Sequence, residues 1–96
     1  MPLLIGWTPL ALSHLRNAFD YISQDSEGAA VKILERIFDG IERLADYPSM
    51  GRSGRIGGTR ELVITGTPFI VAHRVRRRDL QILAVMHASR KWPEEL

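Results

Sequence analysis

Cysteine is absent from all 96 residues, which excludes a disulfide framework, a thiolate nucleophile and a cysteine-ligated metal. Its absence suits a reducing cytoplasm, the compartment expected for this chain. Long hydrophobic runs are missing too: no apolar stretch approaches the roughly 20 residues that cross a bilayer. The opening MPLLIGW lacks the basic flank and the length of a secretory signal. The three histidines, His14, His73 and His87, are scattered, with no carboxylate at ligand spacing. No metal site is therefore read, and no cofactor is expected. None of the serines stands in G-x-S-x-G, and no G-x-x-x-x-G-K-[ST] occurs, so a nucleophile elbow and an NTP-binding loop are both unsupported.

What the chain does have is arginine, unevenly placed. The net charge is only +2, but residues 1–51 are acidic on balance. Residues 52–91 hold Arg52, Arg55, Arg60, Arg74, Arg76, Arg77, Arg78, Arg90 and Lys91 against Glu61 and Asp79. Such a block is the electrostatic footprint of a polyanion site or of an acidic protein partner. The glycine-rich GRSGRIGGTR, residues 51–60, places three of these arginines in a loop that can fold closely. With 45% apolar and 25% charged residues, the chain reads as one folded domain over 1–96.

The pattern along the chain is α+β. Leu3 to Trp7 reads as a strand, and Thr8-Pro9 as a helix cap followed by a first-turn proline. Ala11, Leu15, Ala18, Phe19 and Ile22 recur at helical spacing. The polar SQDSEG then breaks the helix, and a second begins near Ser26 or Glu27. Ala30, Ile33, Leu34, Ile37, Ile41 and Leu44 form its apolar stripe, and Pro48 ends it. Two helices on so short a link pack as an antiparallel hairpin. Beyond the loop the period changes to two. Arg60–Thr65 reads as a strand, TGTP as a turn, Phe69–Arg76 as a strand and RRRD as a corner. The nearly continuous apolar run Leu80–His87 reads as a central strand covered on both faces. The expected fold is β-α-α-β-β-β: a helical hairpin on a curved antiparallel sheet of about four strands. Arg74 and Arg60 are expected on the face away from the helices. His73 reads as a satisfied core or edge group, and Trp7 and Trp92 as packing residues.

In order, the motifs L-A-x-x-P (LADYP), G-R-x-G-R (GRSGR), T-R-E-L, G-T-P-F, V-x-x-R-V (VAHRV) and I-L-x-V-x-H-x-x-R-x-W-P (ILAVMHASRKWP) span the second half. Each is weak alone, but the ordered set resembles the RelE/ParE superfamily, toxins of bacterial type II toxin-antitoxin modules. The resemblance implies a growth-inhibiting toxin neutralised by a cognate antitoxin protein. Two mechanisms follow from it, and both stay open. A RelE-like toxin is a metal-independent endoribonuclease acting on ribosome-bound messenger RNA. A ParE-like toxin inhibits DNA gyrase. The other alternative is a non-toxic or degenerate basic module that binds RNA or protein.

For the nuclease, a 2′-hydroxyl must lose a proton, a phosphorane must be stabilised and a 5′-oxygen must gain a proton. Arg60, Arg74 and Arg90 are candidates for the charge stabilisation, and His87 for proton transfer, because arginine is too basic to serve. Arg52, Arg55, Arg76, Arg77, Arg78 and Lys91 are the candidate target-binding cations. This chain has no tyrosine after Tyr47, whereas several ribosome-dependent nucleases of the superfamily carry one near the C-terminus. Exposed apolar residues on the first helix, Leu10 and Leu12, are a candidate antitoxin groove.

Overall fold

The structure, a computed structural model, describes residues 1–93. Strand β1 (Leu4–Trp7) leads into helix α1 (Pro9–Ser23). The Thr8 hydroxyl accepts the Ala11 N–H, and Pro9 occupies the first turn where no N–H is needed. Helix α2 (Glu27–Asp46) starts from Ser26, whose side chain accepts the Ala29 N–H. It buries Ala30, Ile37, Ile41, Leu44 and Ala45. A two-residue strand β2 (Arg52–Ser53), then β3 (Arg60–Val63), β4 (Phe69–Arg76) and β5 (Asp79–His87), complete the elements of the described residues.

The sheet has five strands in the order β1-β5-β4-β3-β2. It is mixed rather than antiparallel, because β1 runs parallel to β5 while the other pairs are antiparallel. One omission accounts for both departures from the expected sheet. Every connection is a short reversal, so the direction of the last strand relative to the first depends on how many segments lie between them. Four strands and two helices would put β5 antiparallel to β1. The short β2, hidden in the glycine loop, adds one reversal and makes them parallel.

The core lies between the hairpin and one face of the sheet, where Ala11, Ile37, Ile41 and Leu44 meet Val71, Leu80, Ile82 and Val85. Gly40 lets α2 approach β3 closely: a Cβ there would stand 2.8 Å from Ile64 Cδ1. On the other face Ala72, Leu83, Ala84 and Met86 form a smaller buried cluster with Trp92 against it. Strand β5 is therefore covered on both sides, as its continuous apolar run requires. The register slips between Ala72 and His73: Ala72 stands opposite Ala84 and His73 opposite Ile82, leaving Leu83 as the extra residue of a bulge. The two tryptophans are on opposite sides. Trp7 packs edge-on against Phe38 at 5.9 Å, and Trp92 covers the far face.

Candidate functional site

The basic loop is organised by a carboxylate. Glu61 alternates onto the face away from the helices, opposite Arg52 in register and only 2% exposed. Its Oε1 accepts from Nη2 and Nε of Arg52, at 3.2 and 3.4 Å. Oε2 accepts the Arg55 backbone N–H at 2.7 Å, and the Arg55 guanidinium lies 3.9 Å away. That guanidinium also stacks on Trp92, 4.2 Å from the ring centroid, a cation–π contact that pins the C-terminal segment to the loop. Gly51 makes the entry possible: its φ is +97°, and a Cβ would fall 2.5 Å from the Glu61 carbonyl oxygen. Arg52 and Arg55 are thus bound to a buried acid, and the loop is a clasp over the sheet.

Arg60 lies on the side opposite to the one expected. It pairs with His73, whose neighbour Val71 packs under the helices, so its side chain belongs to the helix-covered face. There Nη2 donates to the carbonyls of Ser49 and Gly51, at 2.6 and 3.1 Å, and holds the end of α2 to β3. His73 is fully buried, and among the described residues neither ring nitrogen has a hydrogen-bond partner; it is a core group but not a satisfied one there. Burial, with the nearby Arg60 charge adding to it, lowers its pKa to about 4. Arg74 does face away from the helices, where its Nε donates to Gln81 at 2.6 Å. Arg76, Arg77 and Arg78 form the β4–β5 corner, with Arg77 at φ 56°, a region costing an L-residue roughly 1–2 kcal/mol.

His87, half-exposed at the end of β5, stands edge-on to Phe69 at 5.5 Å. Its Nδ1 receives the Ser89 N–H at 3.2 Å and lies 2.8 Å from the Ser89 hydroxyl. Across a groove of about 700 Å³, His14 Nδ1 accepts the Val85 N–H at 3.2 Å, and burial lowers the His14 pKa. A ring accepting through Nδ1 carries its neutral-form proton on Nε2. Arg90, Lys91 and Tyr21 complete this rim.

The predicted residues therefore fall into separate groups. Arg90 and Lys91 line the groove with His87, whereas Arg60 and Arg74 do not. Four residues of β4 and two strand spacings separate Arg60 from His87, about 16 Å at ordinary strand geometry. The arginine corner is about 23 Å from His87 along β5. Glu61, His14 and Gln81 are the partners that sequence reasoning missed. Glu61 alone left a signal, as the one acid between Asp46 and Asp79. Among the described residues no group of three or more His, Cys, Asp or Glu side chains is placed to hold a metal, and no helix is long and apolar enough to cross a membrane.

The family model described as "ParE toxin of type II toxin-antitoxin system, parDE" matches residues 5–92. The chain belongs to the ParE toxin family. It is 45% identical to the Sinorhizobium fredii protein named "Putative toxin Y4kP" over 96% of this chain and 95% of that one. It is 34% identical to "Toxin RelE2" of Caulobacter vibrioides, covering 90% and 96% of the two chains. Among solved structures, a chain of the chromosomal ParDE toxin-antitoxin system of P. aeruginosa superposes with a TM-score of 0.79. Identity there is 25%, over 88% of this chain and 95% of that chain. The protein is a toxin of a type II toxin-antitoxin system, and its class implies a cognate antitoxin.

Proposed function

We propose that this ParE-family toxin arrests growth by binding DNA gyrase rather than by cutting messenger RNA. The observation that carries the reading is the engagement of its arginines. Arg52 and Arg55 hold Glu61, Arg60 holds two backbone carbonyls and Arg74 holds Gln81. A phosphorane needs donors aimed at the point where its charge develops, and these four are aimed at the protein's own acceptors. His87, the one candidate for proton transfer, is on the groove side, remote from Arg60 and on the face opposite Arg74. Among the described residues Arg76, Arg77, Arg78, Arg90 and Lys91 make no ion pair, so they are the cations that would meet an acidic surface, the role expected of a protein-binding toxin. Arg90 alone of the charge-stabilising candidates lies beside His87.

The test uses the purified chain in two assays run side by side. In a supercoiling reaction with gyrase and relaxed plasmid, stoichiometric toxin is expected to abolish supercoiling. Ribosomes translating a defined message should leave it uncut. Cleavage of the message with gyrase unaffected would overturn the proposal, and its loss in His87→Ala would then place the proton-transfer role on that ring. Harmless overexpression without either effect would favour the degenerate binding module.

A further inference from the structure

Strand β1 ends at Trp7, opposite Ile82, while β5 runs on to His87. Past that point the outer side of β5 is met by helix α1 instead of a strand. The Thr8 N–H donates to the Ile82 carbonyl at 3.0 Å and its hydroxyl to the Leu83 carbonyl at 3.1 Å. His14 Nδ1 then accepts the Val85 N–H at 3.2 Å. Two observations fix which backbone groups this leaves open. Val85 bonds outward, to α1, and the Ala88 N–H donates at 2.8 Å to the carbonyl of Pro68, just before β4. Strand alternation therefore points residues 85 and 87 towards α1. The Val85 carbonyl and the His87 N–H face the space between, and neither has a hydrogen-bond partner among the described residues.

One turn beyond His14, α1 presents Ala18, whose methyl is too short to close that space. What remains is the groove of about 700 Å³, the size of a small-molecule site. Its floor is Phe69, Val85 and Met86, all buried. Its polar groups are mostly donors. The His87 ring is held at Nδ1 by the Ser89 N–H, and the His14 ring at Nδ1 by the Val85 N–H, so each carries its proton on Nε2. The His87 backbone N–H is a third donor, and the exposed Arg90 and Lys91 set two cations at the rim.

We propose that this groove binds a small aromatic carboxylate, with its ring on the apolar floor and its charge on the His87 N–H and Arg90. The guanidinium fork matches the two oxygens of a carboxylate, and the thioether of Met86 suits an aromatic edge. The Val85 carbonyl decides against a phosphate monoester. A tetrahedral group with oxygens on every side would set lone pairs against it. An aromatic carboxylate keeps both oxygens at one end and offers the carbonyl the positive edge of its ring. The inference goes beyond the gyrase reading and does not rest on it, because its readout is binding by the purified chain alone.

The probe is 2-naphthoate, titrated into the ¹⁵N-labelled chain beside the neutral 2-naphthalenemethanol. The carboxylate is expected to shift the His87 amide and the Nε2 signals of His14 and His87, with at least tenfold weaker binding of the alcohol. Arg90→Ala/Lys91→Ala alters exposed side chains only, so it should keep the native circular dichroism and weaken 2-naphthoate at least tenfold. Arg76→Ala/Arg78→Ala removes the same charge at the other end of β5 and should leave the affinity unchanged. Equal losses in the two variants would mean attraction by net charge and overturn the proposal. So would an unmoved His87 amide at about 1 mM 2-naphthoate, or tighter binding of 2-naphthyl phosphate or a short RNA at that amide.

Discussion

Replacing Glu61 by glutamine keeps the shape of the side chain and removes its charge, so it isolates what holds the basic clasp. The carboxylate has two oxygens, one facing the Arg52 guanidinium and one facing the Arg55 backbone N–H. An amide offers one oxygen only. The better orientation keeps that oxygen on the Arg55 N–H, a donor that is fixed, and turns the amide N–H₂ towards Arg52. Arg52 is 55% exposed and swings into water, so losing its pair costs about 1 kcal/mol after solvent screening. The Arg55 N–H exchanges a charged acceptor for a neutral one, at about another 1 kcal/mol. Together these give about 2 kcal/mol, or about 8–16 °C in Tm for a domain of this size. Urea and thermal unfolding followed by circular dichroism at pH 7 measure it. A cycle with Arg52→Ala should return about half of the loss as coupling. A Glu61→Gln variant within about 0.5 kcal/mol of the parent would show that this carboxylate does not hold the clasp, because surface substitutions of no structural consequence fall in that range.

Two further perturbations test the rest of the frame. His73 is depressed to about 4 in the fold, against an ordinary value of 6.5. The unfolded chain therefore binds the extra proton first, and stability present above pH 6.5 is lost as pH falls towards 4. About 3 kcal/mol is at stake; denaturant midpoints from pH 7 to 4 should fall more steeply in the parent than in His73→Leu, and parallel curves would refute this. Thr8 both caps α1 and donates its hydroxyl proton to the Leu83 carbonyl at 3.1 Å, so Thr8→Ala should cost about 1–2 kcal/mol, while Thr8→Ser, measured the same way, recovers most of it.

Much of this architecture is written locally. Thr8-Pro9 and Ser26 start the helices because a side-chain oxygen three residues ahead of an N–H is a matter of sequence alone. The apolar stripe of α2 and the unbroken run of β5 declare their burial through period and composition. These signals survive whatever the rest of the chain does, so the helical hairpin, the strands β1, β3, β4 and β5, and the interior place of β5 were legible. Arg52 and Arg55 were equally visible as charges.

Their partners were not visible, because partnership depends on register. A two-residue strand has no periodicity to detect, yet β2 sets Arg52 opposite Glu61 and, through one extra reversal, turns β1 parallel to β5. Pairing Arg60 with His73 sends that arginine under the helices, while the bulge at Leu83 keeps Val85 and His87 on the helix side after the strand has slipped. Composition alone determined that this protein would carry a basic second half around an apolar core. Only the tertiary structure decided which arginines are left to meet a partner, because a side chain's face follows from strand pairing across the sheet and not from its neighbours along the chain.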